Sequence, residues 1–218
     1  MINAKDIASE FAAFRRRRKI WKSARQSALY EILEKRAVFI HVPKCGGKTV
    51  IKDFYGLGQH DWFGHAKPAF YKAVLGPVRY RAFFKFSLVR NPIDRCRSGF
   101  YFGIGGGFGT RDDHDFAKTC QGLSFEEFVL DGHLESWVGR YVVFYPQHPF
   151  VAAADGSLLV DQIYHLDRID KLFRDLGLDA HNISHQNKTA YDKPDLSPEV
   201  SDAIRAVYKR DYDVIGFE

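Results

Sequence analysis

Residues 37–50 read AVFIHVPKCGGKTV, a short apolar run followed by two glycines and a Lys-Thr pair. The apolar residues predict a buried strand, and the residues from Thr49 onward predict a helix. Gly46 and Gly47 let the backbone turn tightly between these elements and bring N–H groups close to an anion. The N-terminal end of the helix adds a positive dipole. This stretch therefore predicts a strand that ends in a phosphate-binding loop.

The nearest general pattern for this loop is the P-loop, G-x-x-x-x-G-K-[ST]. Gly47, Lys48 and Thr49 match its last three positions, but Val42 stands where its first glycine would be. The half match points away from ordinary ATP or GTP binding. Lys48 and Thr49 nevertheless keep a nucleotide-dependent kinase open as an alternative.

Strands and helices alternate along the rest of the chain. Phe83–Val89 is apolar at nearly every residue and leads into Arg90-Asn91-Pro92, which predicts a central parallel strand followed by a helix. Phe150–Ala154 and Leu158–Leu166 predict a hairpin that leads into a further strand, with Asp167 capping the next helix. The alternation favours an α/β fold, a P-loop-like three-layer sandwich around a mostly parallel sheet.

Local signals mark the connecting segments and helix starts. Five glycines in the nine residues Phe102–Thr110 predict a mobile loop, either a flexible connector or a lid over the acceptor. Ser124 with Glu127 forms a capping box and predicts a helix start. Ser197-Pro198-Glu199 predicts the start of the last helix.

Residues 1–36 are predicted to form an extra N-terminal amphipathic helix, outside an α/β domain of residues 37–218. From residue 4 to 36 there is no glycine or proline, and apolar residues recur at helical spacing. The basic polar face predicts a solvated surface helix; contact of Arg15–Lys19 with a membrane surface or a polyanion is the alternative. Homodimerisation through this helix is a further hypothesis.

The length and charge of the chain limit the classes of protein it can be. At 218 residues it is long enough for one well-buried domain and short for two. A net charge of +5 favours anionic partners, but Arg15–Lys19 alone supplies five positive charges. The rest of the chain is nearly balanced and carries no zinc-finger or RNA-binding pattern, so we expect no nucleic-acid partner.

The cysteines and the lack of long apolar runs bear on location. Cys45, Cys96 and Cys120 are odd in number and include no C-x-x-C pair, which disfavours a disulfide framework or a structural zinc site. A reducing compartment fits such cysteines. Neither a signal peptide nor an apolar run of 18 residues is present. We therefore expect a cytoplasmic protein, with a membrane-peripheral location as the alternative.

Two groups of polar residues are expected at one edge of the sheet, because ligands of such folds lie beyond the carboxyl ends of the strands. The first strand leads into Lys44–Thr49, and the second leads into Arg90 and, one helix later, Ser98. Each group offers a cation, a hydroxyl and a helix N-terminus. The pair suits an adenine nucleotide with phosphate on both its 5′ and 3′ sides.

These two stretches resemble one enzyme family. HVPKCGGKT at His41–Thr49 is similar to the H-x-P-K-T-G-G-T-S signature of carbohydrate sulfotransferases of the heparan sulfate 2-O- and chondroitin type, which use 3′-phosphoadenosine 5′-phosphosulfate (PAPS). VRNPIDRCRSGFY at Val89–Tyr101 is similar to their R-[ND]-P-x-x-R-x-x-S-x-Y motif. Gly64-His65, residues 185–188 and residues 208–217 extend the resemblance over about 37–218. Cys45 and Lys48 depart from it, since the family has Thr at both positions.

The resemblance implies a role for each matching residue. The donor would be bound by Lys44, Cys45, Gly46, Gly47, Lys48 and Thr49 at its 5′ end, by Arg90 and Ser98 at its 3′-phosphate, and by Lys188 in a late loop. His65 would be the general base, with His60 as its rival, and Lys44 would stabilise the leaving phosphate. The acceptor would be a carbohydrate or glycolipid. Trp62, Phe63 and Trp137 could stack on its sugar rings or could equally be ordinary core residues. No metal is required.

Two other functions remain open. An ATP-dependent small-molecule kinase would use the Lys48-Thr49 pair together with Mg²⁺ and a carboxylate to hold it. A non-catalytic polyanion-binding module would use Arg15–Lys19 and would not need Lys44 or Arg90.

Overall fold

The computed structural model describes residues 26–179, 183–184 and 195–217. Most of the predicted N-terminal helix, including Arg15–Lys19, lies outside the described residues, as does Lys188. None of the described helices is long and apolar enough to cross a lipid bilayer.

The described part of the chain forms an α/β fold with a parallel three-stranded sheet. Its strands are β1 (Ala37–His41), β2 (Phe84–Val89) and β3 (Gln162–His165), in the order β1-β2-β3. Ala37 pairs with Phe84, and Val89 pairs with His165. The prediction of a central parallel strand after residue 83 is confirmed, and burial on both faces explains why β2 is apolar.

Helices surround the sheet and build a second cluster beside it. They are α1 (Gln26–Lys35), α2 (Gly47–Asp53), α3 (Pro68–Leu75), α4 (Pro77–Ala82), α5 (Pro92–Ile104), α6 (Arg111–Thr119), α7 (Phe125–Leu130), α8 (His133–Val138), α9 (His148–Val151), α10 (Ile169–Asp175), α11 (Pro198–Val207) and α12 (Lys209–Ile215). Short 3₁₀ helices occupy Gln59–Asp61, Val142–Phe144 and Leu166–Arg168.

Two hydrophobic cores hold these elements together. The first lies around the sheet and includes Ala28, Leu29 and Ile32 of α1, which are 0–2% exposed. The second is rich in aromatic rings and is formed by α5 to α8 with α11. Phe116 and Phe128 lie near its centre, with ring centroids 5.6 Å apart. Helix α1, the described end of the predicted N-terminal helix, is thus packed into the same core as the sheet.

The predicted helix caps agree with the structure. Ser124 accepts a hydrogen bond from the Glu127 N–H, and the Glu127 carboxylate accepts one from the Ser124 N–H at 2.7 Å. Ser197 accepts from the Val200 N–H at the start of α11. Both predicted helix starts are confirmed, because such caps depend only on residues three apart in sequence.

The hairpin predicted over residues 150–166 is present only as a short turn. Its antiparallel pairing in the described residues is the single bridge Ala152–Leu158, next to which the Leu159 N–H donates to the Val151 carbonyl at 2.8 Å. The strand predicted to follow is β3, whereas Phe150 and Val151 belong to the short helix α9, which Pro149 can start. The predicted cap at Asp167 is wrong. Asp167 lies within a 3₁₀ turn, and Arg168 occupies the N-cap position of α10.

The glycine-rich segment 102–110 is tied to the domain by hydrogen bonds. Helix α5 continues to Ile104, and the Asp113 carboxylate then accepts bonds from the Phe108 and Thr110 N–H groups, each at 2.9 Å, and from the Tyr141 hydroxyl. A Cβ on Gly107 would lie 2.2 Å from an Asp113 oxygen. At least one of these glycines therefore serves close packing, a role that composition does not reveal.

Candidate functional site

The loop after β1 and the residue after β2 lie at the carboxyl edge of the sheet, as the sequence predicts. Lys44 has φ 64° and Gly46 has φ 75°. The left-handed backbone is sparsely populated by residues other than glycine, so Lys44 is held in an uncommon conformation by its surroundings. A Cβ on Gly46 would also lie 2.7 Å from Leu166. Both the turn and the close packing therefore require glycine at position 46.

Gly47 is required for a different reason. A Cβ at this position would lie 2.1 Å from Cδ2 of His41, on the last residue of β1. The histidine ring thus packs directly against the backbone where α2 begins. The two adjacent glycines therefore have separate physical roles, one in the turn and one in the contact with His41.

Three cations lie near one another at this edge. The Lys44 ammonium is 3.8 Å from the ring centroid of Phe102, and the Lys48 ammonium is 4.8 Å from that of Phe108. Burial, followed by the positive charges of Lys48 and Arg90, lowers the pKa of Lys44 to about 8. Burial also lowers the pKa of Lys48. A bound anion would relieve this repulsion, so the cluster has the electrostatics of an anion site.

Both hydrogen-bond donors of Thr49 are bonded to backbone carbonyls of the protein. Its N–H donates to the Gly46 carbonyl at 3.0 Å, and its hydroxyl donates to the Ser184 carbonyl at 3.1 Å. Ser184 in turn donates its N–H and hydroxyl to the Asp53 carboxylate. These bonds fix residues 183–184 against α2, and the predicted contact of Thr49 with a phosphate stays a prediction.

The side chain of Cys45 faces the core. It is 1% exposed, and its thiol donates to Oε1 of Gln147 at 3.2 Å. Burial raises the pKa of Cys45 to about 12. A contribution of Cys45 to anion binding would therefore come from its backbone.

The histidine predicted as the base is held by the end of β1. Nδ1 of His65 lies 3.0 Å from the His41 carbonyl oxygen, and the two rings are 4.4 Å apart. A carbonyl only accepts, so Nδ1 carries the hydrogen and Nε2 is the basic nitrogen of the neutral ring. Burial, aided by the charge of Lys44, lowers the pKa of His65. The ring is therefore neutral at pH 7. His60, by contrast, is exposed in a 3₁₀ helix.

Arg90 borders a cleft of about 710 Å³ on the β3 side. Its guanidinium lies 3.9 Å from the Asp94 carboxylate. The cleft is also lined by cationic, acidic, aromatic and amide side chains, which include Asn91, Tyr164, Asp167, Arg168, Lys171 and Phe217. Within the described chain, neither loop 44–49 nor Ser98 is part of this lining; Ser98 is buried on α5, at 6% exposure.

The aromatic residues predicted to stack on an acceptor are buried. Trp62, Phe63 and Trp137 are 1, 7 and 2% exposed and form part of the two cores, so the core alternative is confirmed and the stacking alternative is wrong. The rings that do contact the cationic loop are Phe102 and Phe108, and Phe108 is 58% exposed. Phe102 and Phe108 lie on either side of the glycine-rich residues 103–107, and this position was the only signal in the sequence for their contact with the loop.

Comparisons of the chain with protein-family models, curated proteins and solved structures found no match. Among residues 26–179, 183–184 and 195–217, no group of three or more His, Cys, Asp or Glu side chains is arranged to hold a metal ion.

Proposed function

We propose that the protein is a sulfotransferase that moves the sulfuryl group of PAPS to a hydroxyl of a carbohydrate or glycolipid. The observation that carries this proposal is the group of Lys44, Lys48 and Arg90 at the carboxyl ends of adjacent parallel strands. Burial, followed by the positive charges of Lys48 and Arg90, lowers the pKa of Lys44 to about 8, and such shifts cluster at functional sites. The proposal includes a P-loop-like three-layer arrangement of the α/β fold and a cytoplasmic location.

The two ends of the donor would bind at different strand ends. The 5′-phosphosulfate would lie on loop 44–49, and the 3′-phosphate would be bound by Arg90 with Ser98. At 3.9 Å the Arg90–Asp94 contact is longer than a charge-assisted hydrogen bond, so the guanidinium can turn to a phosphate. The cleft beside Arg90 has a volume typical of small-molecule sites and would accept the nucleoside.

The chemistry follows from the state of His65 and Lys44. Nε2 of neutral His65 would take the proton of the acceptor hydroxyl as its oxygen attacks the sulfur. The bond between sulfur and the bridging oxygen breaks, and the negative charge passes to the departing 5′-phosphate. The Lys44 ammonium would stabilise that charge. Donor and acceptor need to be held in line for this step.

Transfer of ³⁵S from labelled PAPS to a panel of oligosaccharides and glycolipids tests the proposal. Exchanging His65→Ala is expected to lower turnover by about 10²–10⁴-fold, the usual contribution of a general base. Binding of adenosine 3′,5′-bisphosphate should be retained. His60→Ala is the matched control, because that histidine is exposed, and it should leave turnover unchanged. Equal turnover in the two variants would show that His65 is not the general base.

A further inference from the structure

A buried polar network connects the C-terminal helix α12 with the candidate site. Its centre is formed by Gln147 and Asp211, which are both 0% exposed. Gln147 precedes α9, and Asp211 lies on α12, 64 residues later in sequence. The proposed chemistry uses neither residue, although buried polar side chains at such a position need a physical reason.

The Gln147 amide binds the ends of two strands at once. Its Oε1 accepts from the Arg90 N–H at 3.0 Å and from the Cys45 thiol at 3.2 Å, and its Nε2 donates to the Arg90 carbonyl at 2.8 Å. The pairing of β2 with β3 ends one residue earlier, at Val89. The glutamine amide therefore satisfies the backbone of Arg90 beyond the sheet, and it joins that residue to the loop after β1.

Asp211 fixes the position of this glutamine. Its carboxylate accepts the Gln147 N–H at 2.8 and 2.9 Å and the His148 N–H at 2.8 Å. Nδ1 of His148 lies 2.8 Å from the same carboxylate. Several charge-assisted hydrogen bonds thus hold the backbone at the start of α9. With its backbone held, the glutamine side chain has little freedom to leave Arg90.

We propose that Gln147, held by Asp211, is a positioning residue that fixes the separation of Arg90 and loop 44–48, so that one ligand can use both. This inference rests on the proposed function, in which the two phosphates of the donor bind at these two places. Two weak sites act as one strong site only if their spacing matches the ligand. A misplacement of about 1 Å can cost about 10²-fold.

The test is the preference for adenosine 3′,5′-bisphosphate over adenosine 5′-phosphate, measured as the ratio of their Kd values by calorimetry. Gln147→Met keeps the length of the side chain but removes its three hydrogen bonds. We expect it to lower the ratio at least tenfold, because the advantage of binding both phosphates is lost. Gln121→Met, in an exposed turn after α6, is the matched control and should keep the wild-type ratio.

If the role of Gln147 were purely structural, Gln147→Met would weaken the binding of both ligands by the same factor. An unchanged ratio of Kd values would therefore overturn the inference while the proposed function stands. A wild-type protein without any preference for the bisphosphate would overturn both. If Gln147→Met fails to fold, Gln147→Leu replaces it. Leucine can neither accept from the Arg90 N–H nor donate to the Arg90 carbonyl, so we expect the same loss of preference, and a wild-type ratio would overturn the inference.

Discussion

Gly47→Ala is expected to destabilise the protein through one contact. The new Cβ would lie 2.1 Å from Cδ2 and 2.3 Å from Nε2 of His41, well inside van der Waals contact. The ring has limited room to move, because it lies 5.6 Å from the Phe39 ring and 4.4 Å from the His65 ring. Overpacking of this kind costs about 1–3 kcal/mol.

For a chain of this length, each kcal/mol changes Tm by about 2–4 °C. Urea denaturation should therefore show a lower free energy of unfolding for Gly47→Ala, and thermal unfolding should show a fall of about 2–12 °C. Turnover should fall as well, because the His41 carbonyl holds the base His65.

Gly139→Ala is the matched control. An added Cβ there meets nothing within 4 Å, and the backbone φ is −94°. This exchange should be neutral or stabilise by up to about 1 kcal/mol, because alanine restricts the unfolded chain. In a His41→Ala background the cost of Gly47→Ala should disappear, since the clashing ring is gone. If the cost persists in that background, the steric explanation is wrong.

Two further predictions concern ionisable groups of the loop. The affinity for adenosine 3′,5′-bisphosphate should fall as the pH rises through about 8. In the ligand-free protein, burial and the charges of Lys48 and Arg90 lower the pKa of Lys44 to about 8, so this ammonium loses its charge in that range. Calorimetry from pH 7 to 9.5 measures this, and Lys44→Arg should flatten the profile; a steep fall in that variant would assign the titration to another group. The thiols should resist dithionitrobenzoate at pH 8 in the folded protein, since Cys45, Cys96 and Cys120 are buried and burial raises their pKa values. Fast labelling of Cys45 without unfolding, detected by mass spectrometry, would contradict its inward orientation.

Local sequence patterns were sufficient for much of the fold. The apolar run 83–89 and the caps at Ser124 and Ser197 were predictable, because each depends on neighbouring residues. The glycine pair after β1 also identified the turn, although it did not reveal that Gly47 is needed for His41 to pack.

The features that the sequence did not reveal depend on contacts between distant residues. Gln147 and Asp211 are 64 residues apart, and no spacing rule connects them. Trp62 and Trp137 were open to two interpretations, because a pattern of single aromatic residues cannot distinguish a core ring from a stacking platform; both are buried. Likewise, the inward orientation of Cys45 depends on Gln147, which the loop sequence does not contain.

The central claim is that loop 44–49 and Arg90 form one site for a nucleotide with phosphates on both its 5′ and 3′ sides. Thermal unfolding with adenosine 3′,5′-bisphosphate, ADP or Mg·ATP tests it most directly. At 100 times its Kd the bisphosphate should stabilise the protein by about 2.7 kcal/mol, or about 5–11 °C for this chain length. The effect should exceed that of ADP and Mg·ATP at equal concentration, and in Arg90→Ala it should fall to that of adenosine 5′-phosphate. Stabilisation by Mg·ATP without a response to the bisphosphate would contradict the claim and favour a kinase.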